Sequence, residues 1–111
     1  MGWATLAINQ LKNGETVKIN PRGGSMSGRI ESGDTVIIEP LKENPQVDDI
    51  VLCKVNGNQY LHIVKAVDGN GKRFLIGNNR GGINGWISRN SVFGVATKVN
   101  GRYLRQSPAP Q

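Results

Sequence analysis

Cysteine is almost missing from this 111-residue chain. Cys53 stands alone, so no disulfide can form within it. That excludes a disulfide-stapled scaffold and fits a reducing compartment. Cys53 ends the apolar run Ile50-Val51-Leu52-Cys53 and reads as a buried thiol packed as a small hydrophobe. Histidine also occurs once, at His62. No metal site is read from the sequence, and no cofactor. Aromatic residues are scarce, two each of Trp, Tyr and Phe. They are not interleaved with Arg22, Arg29, Lys72, Arg73, Arg80, Arg89 and Arg102, so a stacking platform for nucleic acid is not expected. No stretch approaches the roughly 18 apolar residues of a membrane span. The first residues carry neither a basic n-region nor a long apolar h-region, so no signal peptide is read. Met1-Gly2 opens a myristoylation pattern, but Leu6 stands where Ser or Thr is wanted. The expected compartment is the cytoplasm, with no membrane contact.

Charge is present but unconcentrated. The formal net charge is +6, and the basic residues are scattered rather than run together, as on a solvated surface. Fifteen glycines and a hydrophobic fraction of 37% indicate a folded, turn-rich chain. The length suits one domain with a modest core. We assign it residues 1–104. Residues 105–111 hold two prolines and little apolar content, and are expected to be a disordered tail.

Trp3, Leu6, Ala7 and Leu11 recur at helical spacing, and Asn13-Gly14 supplies a stop, so one short helix is predicted near the start. Strands are predicted at 16–20, 35–39, 49–55, 58–67, 73–76 and 92–99, with Asn56-Gly57 as a tight hairpin turn. Residues 77–85 read as a Gly- and Asn-rich loop. The fold class is mainly β, a coiled, barrel-like sheet with one short helix. Edge strands in such folds often pair, which opens a route to a homodimer.

The chemistry gathers at Pro21-Arg22-Gly23-Gly24-Ser25-Met26-Ser27-Gly28. Gly23 and Gly24 allow backbone conformations closed to other residues. Such a corner can present the Ser25 hydroxyl and leave N–H groups free as oxyanion donors. A serine needs a base to become a nucleophile. His62 and Lys65 are both within reach in sequence. On a regular strand they point to opposite faces. Lys65 shares its face with Leu61, Ile63 and Val67, where desolvation would favour a neutral amine. His62 shares a face with Tyr60 and Val64 and reads as a surface or half-buried histidine. Lys65 is thus a candidate base, with an edge-strand lysine that guards against aggregation as the plainer reading.

Gly24-Ser25-Met26 followed by Arg29-Ile30-Glu31-Ser32-Gly33-Asp34-Thr35-Val36 resembles the nucleophile box of the signal peptidase and SOS-repressor peptidase families. Asp49-Ile50-Val51 is similar to their next strand, and His62-Ile63-Val64-Lys65-Ala66-Val67 to the strand bearing their catalytic lysine. Gly77-Asn78-Asn79-Arg80 is similar to the Gly-Asp-Asn-Arg box of signal peptidases, and Val92-Phe93-Gly94-Val95-Ala96 to a closing strand. The resemblance covers roughly residues 17 to 99. It implies a serine peptidase with a Ser–Lys dyad, Ser25 as nucleophile and Lys65 as general base, cutting a protein or peptide substrate. The Ser25 N–H would help form the oxyanion hole, with Gly23 in place of a hydroxyl residue, and Met26 would line the cleft. Gly28 stands where signal peptidases have Pro, Asn78 replaces Asp, and the serine and aspartate that normally follow are not evident in Gly81-Gly82-Ile83-Asn84-Gly85. With no membrane anchor, helix-turn-helix segment or Ala-Gly linker in view, the chain reads as a catalytic unit standing alone. The alternative is a catalytically silent module of the same fold that binds a partner, for example in a phage or mobile element.

Overall fold

The computed structural model describes residues 2–104; the expected tail at 105–111 lies outside them. Helix α1 (Thr5–Lys12) buries Ala7, Ile8 and Leu11 on one side and leaves its polar side to solvent. It ends at Asn13, and Gly14 takes a positive φ of 84° that few other residues tolerate. The strands follow as β1 (Val17–Ile19), β2 (Val36–Pro40), β3 (Ile50–Val55), β4 (Asn58–Val67), β5 (Arg73–Gly77), β6 (Ile83–Ser88), β7 (Val92–Val99) and β8 (Arg102–Tyr103). A short 3-10 turn, Arg89–Ser91, links β6 to β7.

All pairings are antiparallel, in the order β1-β2-β7-β3-β4-β5-β6, with β8 added alongside β7. The mainly β fold with one helix is thus present. The sheet coils without closing: β1 and β6 are its two ends. Its curvature brings Gly85 on β6 next to Val55 on β3, where an added Cβ would lie 3.5 Å from Val55 Cγ1.

Period-two alternation explains where the core lies. Ile50 and Leu52 of β3 point to one face with Leu61, Ile63, Val36, Ile38 and the helix. Val51, Cys53 and Val55 point to the other with Val64, Phe74, Ile76, Ile87 and Val92. Strand β3 is therefore buried on both faces, which is why it reads as an unbroken apolar run. Cys53 is fully buried there, and the loss of water pushes its thiol pKa up to about 12, so it is a packing residue and no nucleophile. Gly94 on β7 is packed tightly against β2 and the helix side chain Leu11. A Cβ there would meet the Glu39 carbonyl at 2.8 Å and Leu11 Cδ1 at 3.0 Å.

Strand β6 begins inside the stretch 77–85 that predicts a loop, and no strand is predicted over 86–88. Gly77, Gly81, Gly82 and Gly85 hide it, because glycine contributes nothing to an alternating pattern. Among the described residues no helix is long and apolar enough to cross a membrane.

Candidate active site

Ser25 sits in the connection between β1 and β2. The chain turns there through Gly23 (φ 108°) and Gly28 (φ 98°). The Ser27 N–H donates to the Gly24 carbonyl (3.1 Å), and the Arg29 and Ile30 N–H groups both donate to the Met26 carbonyl (3.0 and 2.9 Å). The loop after β5 staples this corner. The Asn79 N–H donates to the Ser25 carbonyl (3.0 Å), and the Asn79 amide donates to the Ser27 carbonyl (2.7 Å). Farther along, the Asp34 carboxylate accepts from the Glu31 N–H (2.8 Å) and from the Asn100 amide (3.0 Å), and these two bonds hold its pKa below the usual value. The corner is fixed at both ends, so Ser25 is held rather than mobile.

The Ser25 hydroxyl meets His62. Ser25 Oγ lies 3.1 Å from His62 Nε2. On the far side of the ring, His62 Nδ1 lies 2.7 Å from Asn84 Oδ1. An amide oxygen only accepts, so Nδ1 carries the proton and Nε2 is left with its lone pair facing the serine. His62 is buried, 6% exposed, and stacks on Tyr60 with ring centroids 4.8 Å apart. Burial lowers its pKa below the ordinary 6.5; the Asn84 bond pulls the other way, and the Lys65 charge adds to the lowering. At neutral pH the ring is therefore uncharged and able to take a proton.

Two β-bulges lie beside this alignment. On β4 the register against β5 shifts between Val64 and Ala66, which leaves Lys65 as the extra residue. On β6 the register runs from Ile76↔Gly85 to Gly77↔Ile83, which leaves Asn84 as the extra residue. A bulge re-aims a side chain and breaks strict alternation. Asn84 thereby reaches His62 on β4, although β5 lies between their strands.

The geometry departs from the expected Ser25–Lys65 pair. Among the described residues Ser25 makes its side-chain bond to His62 and none to Lys65. Lys65 is half-buried, with Cε 3.0 Å from where a Cβ on Gly77 would stand. Opposite faces for His62 and Lys65 hold on a regular strand, and the bulge falls at Lys65. Asn84 was overlooked because its strand was read as a loop.

Ser25, His62, Asn84, Gly23 and Met26 line one open cavity of about 810 Å³. Gly24 does not line it; a Cβ there would meet Ser27 Oγ at 3.4 Å, ordinary contact. The Gly23 N–H is used by Ser32 Oγ (3.2 Å), whereas those of Gly24, Ser25 and Met26 donate to no protein group among the described residues. Asn78, in the box singled out from sequence, serves the loop: its Oδ1 accepts from the Arg80 and Gly82 N–H groups, both at 2.8 Å. Arg29 pairs with Asp48 at 3.2 Å, an exposed contact of little energetic weight. Among the described residues no group of three or more His, Cys, Asp or Glu could hold a metal ion.

No curated protein and no solved structure matches the chain. A family model described as Peptidase S24-like matches residues 5–90, a span that includes Ser25, His62, Lys65 and Asn84. With more than half of its length matched in this way, the chain belongs to the Peptidase S24-like family.

Proposed function

We propose that this protein is a serine peptidase in which Ser25 is the nucleophile, His62 the general base and Asn84 the residue that orients it. The observation that carries this reading is the continuous chain Ser25 Oγ–His62 Nε2 (3.1 Å) and His62 Nδ1–Asn84 Oδ1 (2.7 Å) in an open cavity. Nucleophile, base and orienting group stand in the relation that recurs in triads on unrelated folds, including those with Asn in the third place.

His62 Nε2 takes the Ser25 proton as Oγ attacks the carbonyl carbon of a bound peptide. The carbonyl oxygen becomes an oxyanion, and the free N–H groups of Ser25 and Met26 are candidate donors to it. The imidazolium then gives its Nε2 proton to the leaving amine, and the acyl group remains on Ser25. Water, deprotonated by the same nitrogen, releases the acid and restores the hydroxyl. Throughout, the Nδ1 proton stays on the ring, held by Asn84.

The test is covalent labelling of Ser25 by a small fluorophosphonate, followed by mass spectrometry against Ser25→Ala. Stoichiometric addition at Ser25 supports the reading. Absence of labelling between pH 5 and 10 (about the range His and Lys bases would span) leaves a binding module of this fold. The pH profile carries more. A base with a lowered histidine pKa gives a rate that is flat above about pH 6.5 and falls as pH drops through that pKa. Asn84→Asp should move the inflection to higher pH, because a carboxylate stabilises the imidazolium. Asn84→Ala should slow labelling by roughly 10- to 100-fold by releasing the ring. An inflection unmoved by Asn84→Asp together with a rate unchanged by Asn84→Ala would remove Asn84 from the site.

A further inference from the structure

One wall of the cavity has no part in the chemistry above. Trp3, which precedes α1, lines the same cavity as Ser25 and His62. It is a large apolar side chain with 56% of its surface exposed. It is nevertheless held in place. Its Nε1 donates to the Gln59 carbonyl (3.2 Å), the Ala4 N–H donates to Gln59 Oε1 (2.7 Å), and Gln59 Nε2 donates to Thr5 Oγ1 (2.9 Å). Gly2 lies so close to the Gln59 side chain that a Cβ there would collide with it. The indole is thus a fixed aromatic surface at the start of β4, three residues along the strand from His62.

The floor beside it is apolar. Met26, Ile30 and Leu61 border the cavity and are themselves buried, at 6%, 3% and 5% exposure. The two charged lining residues, Arg22 and Glu31, have opposite sign and cancel, despite the chain's net charge of +6. Recognition here cannot be by bulk charge. The volume, about 810 Å³, is in the range of pockets that enclose whole ligands and far exceeds what a methyl side chain fills. Rigid, half-exposed aromatics beside a desolvated floor are the usual anchors of peptide recognition.

We infer that Trp3 is a specificity-determining residue of the Ser25 cleft, and that the substrate is an extended peptide presenting a bulky apolar side chain, aromatic or branched aliphatic, to the Trp3 wall. This rests on the reading of Ser25 as the nucleophile. The side chain lies over Met26, Ile30 and Leu61 with Trp3 covering it, and the scissile carbonyl is thereby delivered to Ser25.

The test uses the full chain and peptidyl boronic acids of three residues, with Ala, Leu or Phe placed at each position in turn. Inhibition rates are normalised to each variant's labelling by the small fluorophosphonate. The wild type should prefer Phe or Leu over Ala by about tenfold or more at one position. Trp3→Ala should reduce that ratio to near one, and Trp3→Phe should retain most of it. A preference for Ala, or one that survives Trp3→Ala, overturns the inference. If the fluorophosphonate itself fails, the catalytic reading falls, and binding decides the matter alone. A Ser25→Ala, Trp86→Phe variant leaves Trp3 as the sole tryptophan. Its emission should change on adding a Phe-bearing tripeptide and stay constant with the Ala-bearing one. No change with either overturns the inference.

Discussion

His62→Ala should reduce covalent labelling of Ser25 by roughly 10²–10⁴-fold, the usual contribution of a positioned general base. Lys65→Ala should cost less than about tenfold at neutral pH. The contrast follows from distance. His62 Nε2 is within hydrogen-bond reach of Ser25 Oγ, and Lys65 makes no bond to it. The two variants should also differ in their pH response. Lys65 lies close enough for its charge to lower the His62 pKa. Removing that charge should shift the inflection upward and leave the plateau nearly intact. In a lysine-based dyad the outcomes reverse: Lys65→Ala abolishes labelling, His62→Ala leaves most of it, and the inflection lies on the alkaline side of neutrality. Rates measured from pH 5 to 10 on both variants decide between them. A loss of more than 100-fold in Lys65→Ala at the plateau would assign the base to the lysine (about the lower limit of a general-base effect).

Phe74→Ala should lower stability by about 3–5 kcal/mol. Phe74 on β5 has no exposed surface and stands opposite Val67 on β4 and Ile87 on β6. It is the largest fully buried side chain and packs within the group that holds Val51, Cys53, Val64 and Ile76. Truncation removes apolar contacts on both flanks and leaves a void that two paired strands cannot close. Domains of this size commonly have only 5–15 kcal/mol to lose. The melting temperature should fall by roughly 15–30 °C. Phe74→Leu keeps most of the volume and should cost less than about 1.5 kcal/mol. Urea unfolding checks both, with the midpoint moving and the slope unchanged. A loss below about 1 kcal/mol for Phe74→Ala would mean that the second core group collapses freely, contrary to its packing.

The fold was legible wherever side chains alternate. Helix α1 and strands β2, β3, β4, β5 and β7 fall within a residue or two of where their apolar spacing puts them. Strand β6 and the two-residue β8 were not legible, the first for its glycines and the second for its length. At the site, Ser25 was marked by its glycine corner. Tyr60, His62 and Val64 were correctly placed on one face of β4. The error lay in what that face meets. Tyr60 is a neighbour on the same strand, but Ser25 and Asn84 reach His62 from other parts of the chain, and a one-dimensional pattern does not carry such contacts. The bulge at Lys65 leaves no residue signature, since no glycine adjoins it; the one at Asn84 is adjoined by Gly85 (φ 140°), but within a Gly- and Asn-rich run that reads as a loop.

The position of Asn84 has a consequence for how the protein fails. His62 lies in the middle of the sheet on β4, flanked by β3 and β5, whereas Asn84 rides on the terminal strand β6, paired to β5 alone and interrupted by its bulge. Terminal strands open by sub-global fluctuations that need less free energy than complete unfolding. Opening of the bulged end of β6, residues 83–85, frees the imidazole to rotate and change tautomer while Ile87, farther along the same strand, stays in the second core group. In the proposed mechanism the reactivity of Ser25 is then gated by the local fraying equilibrium of one strand, and labelling should be lost at a lower urea concentration than the fold.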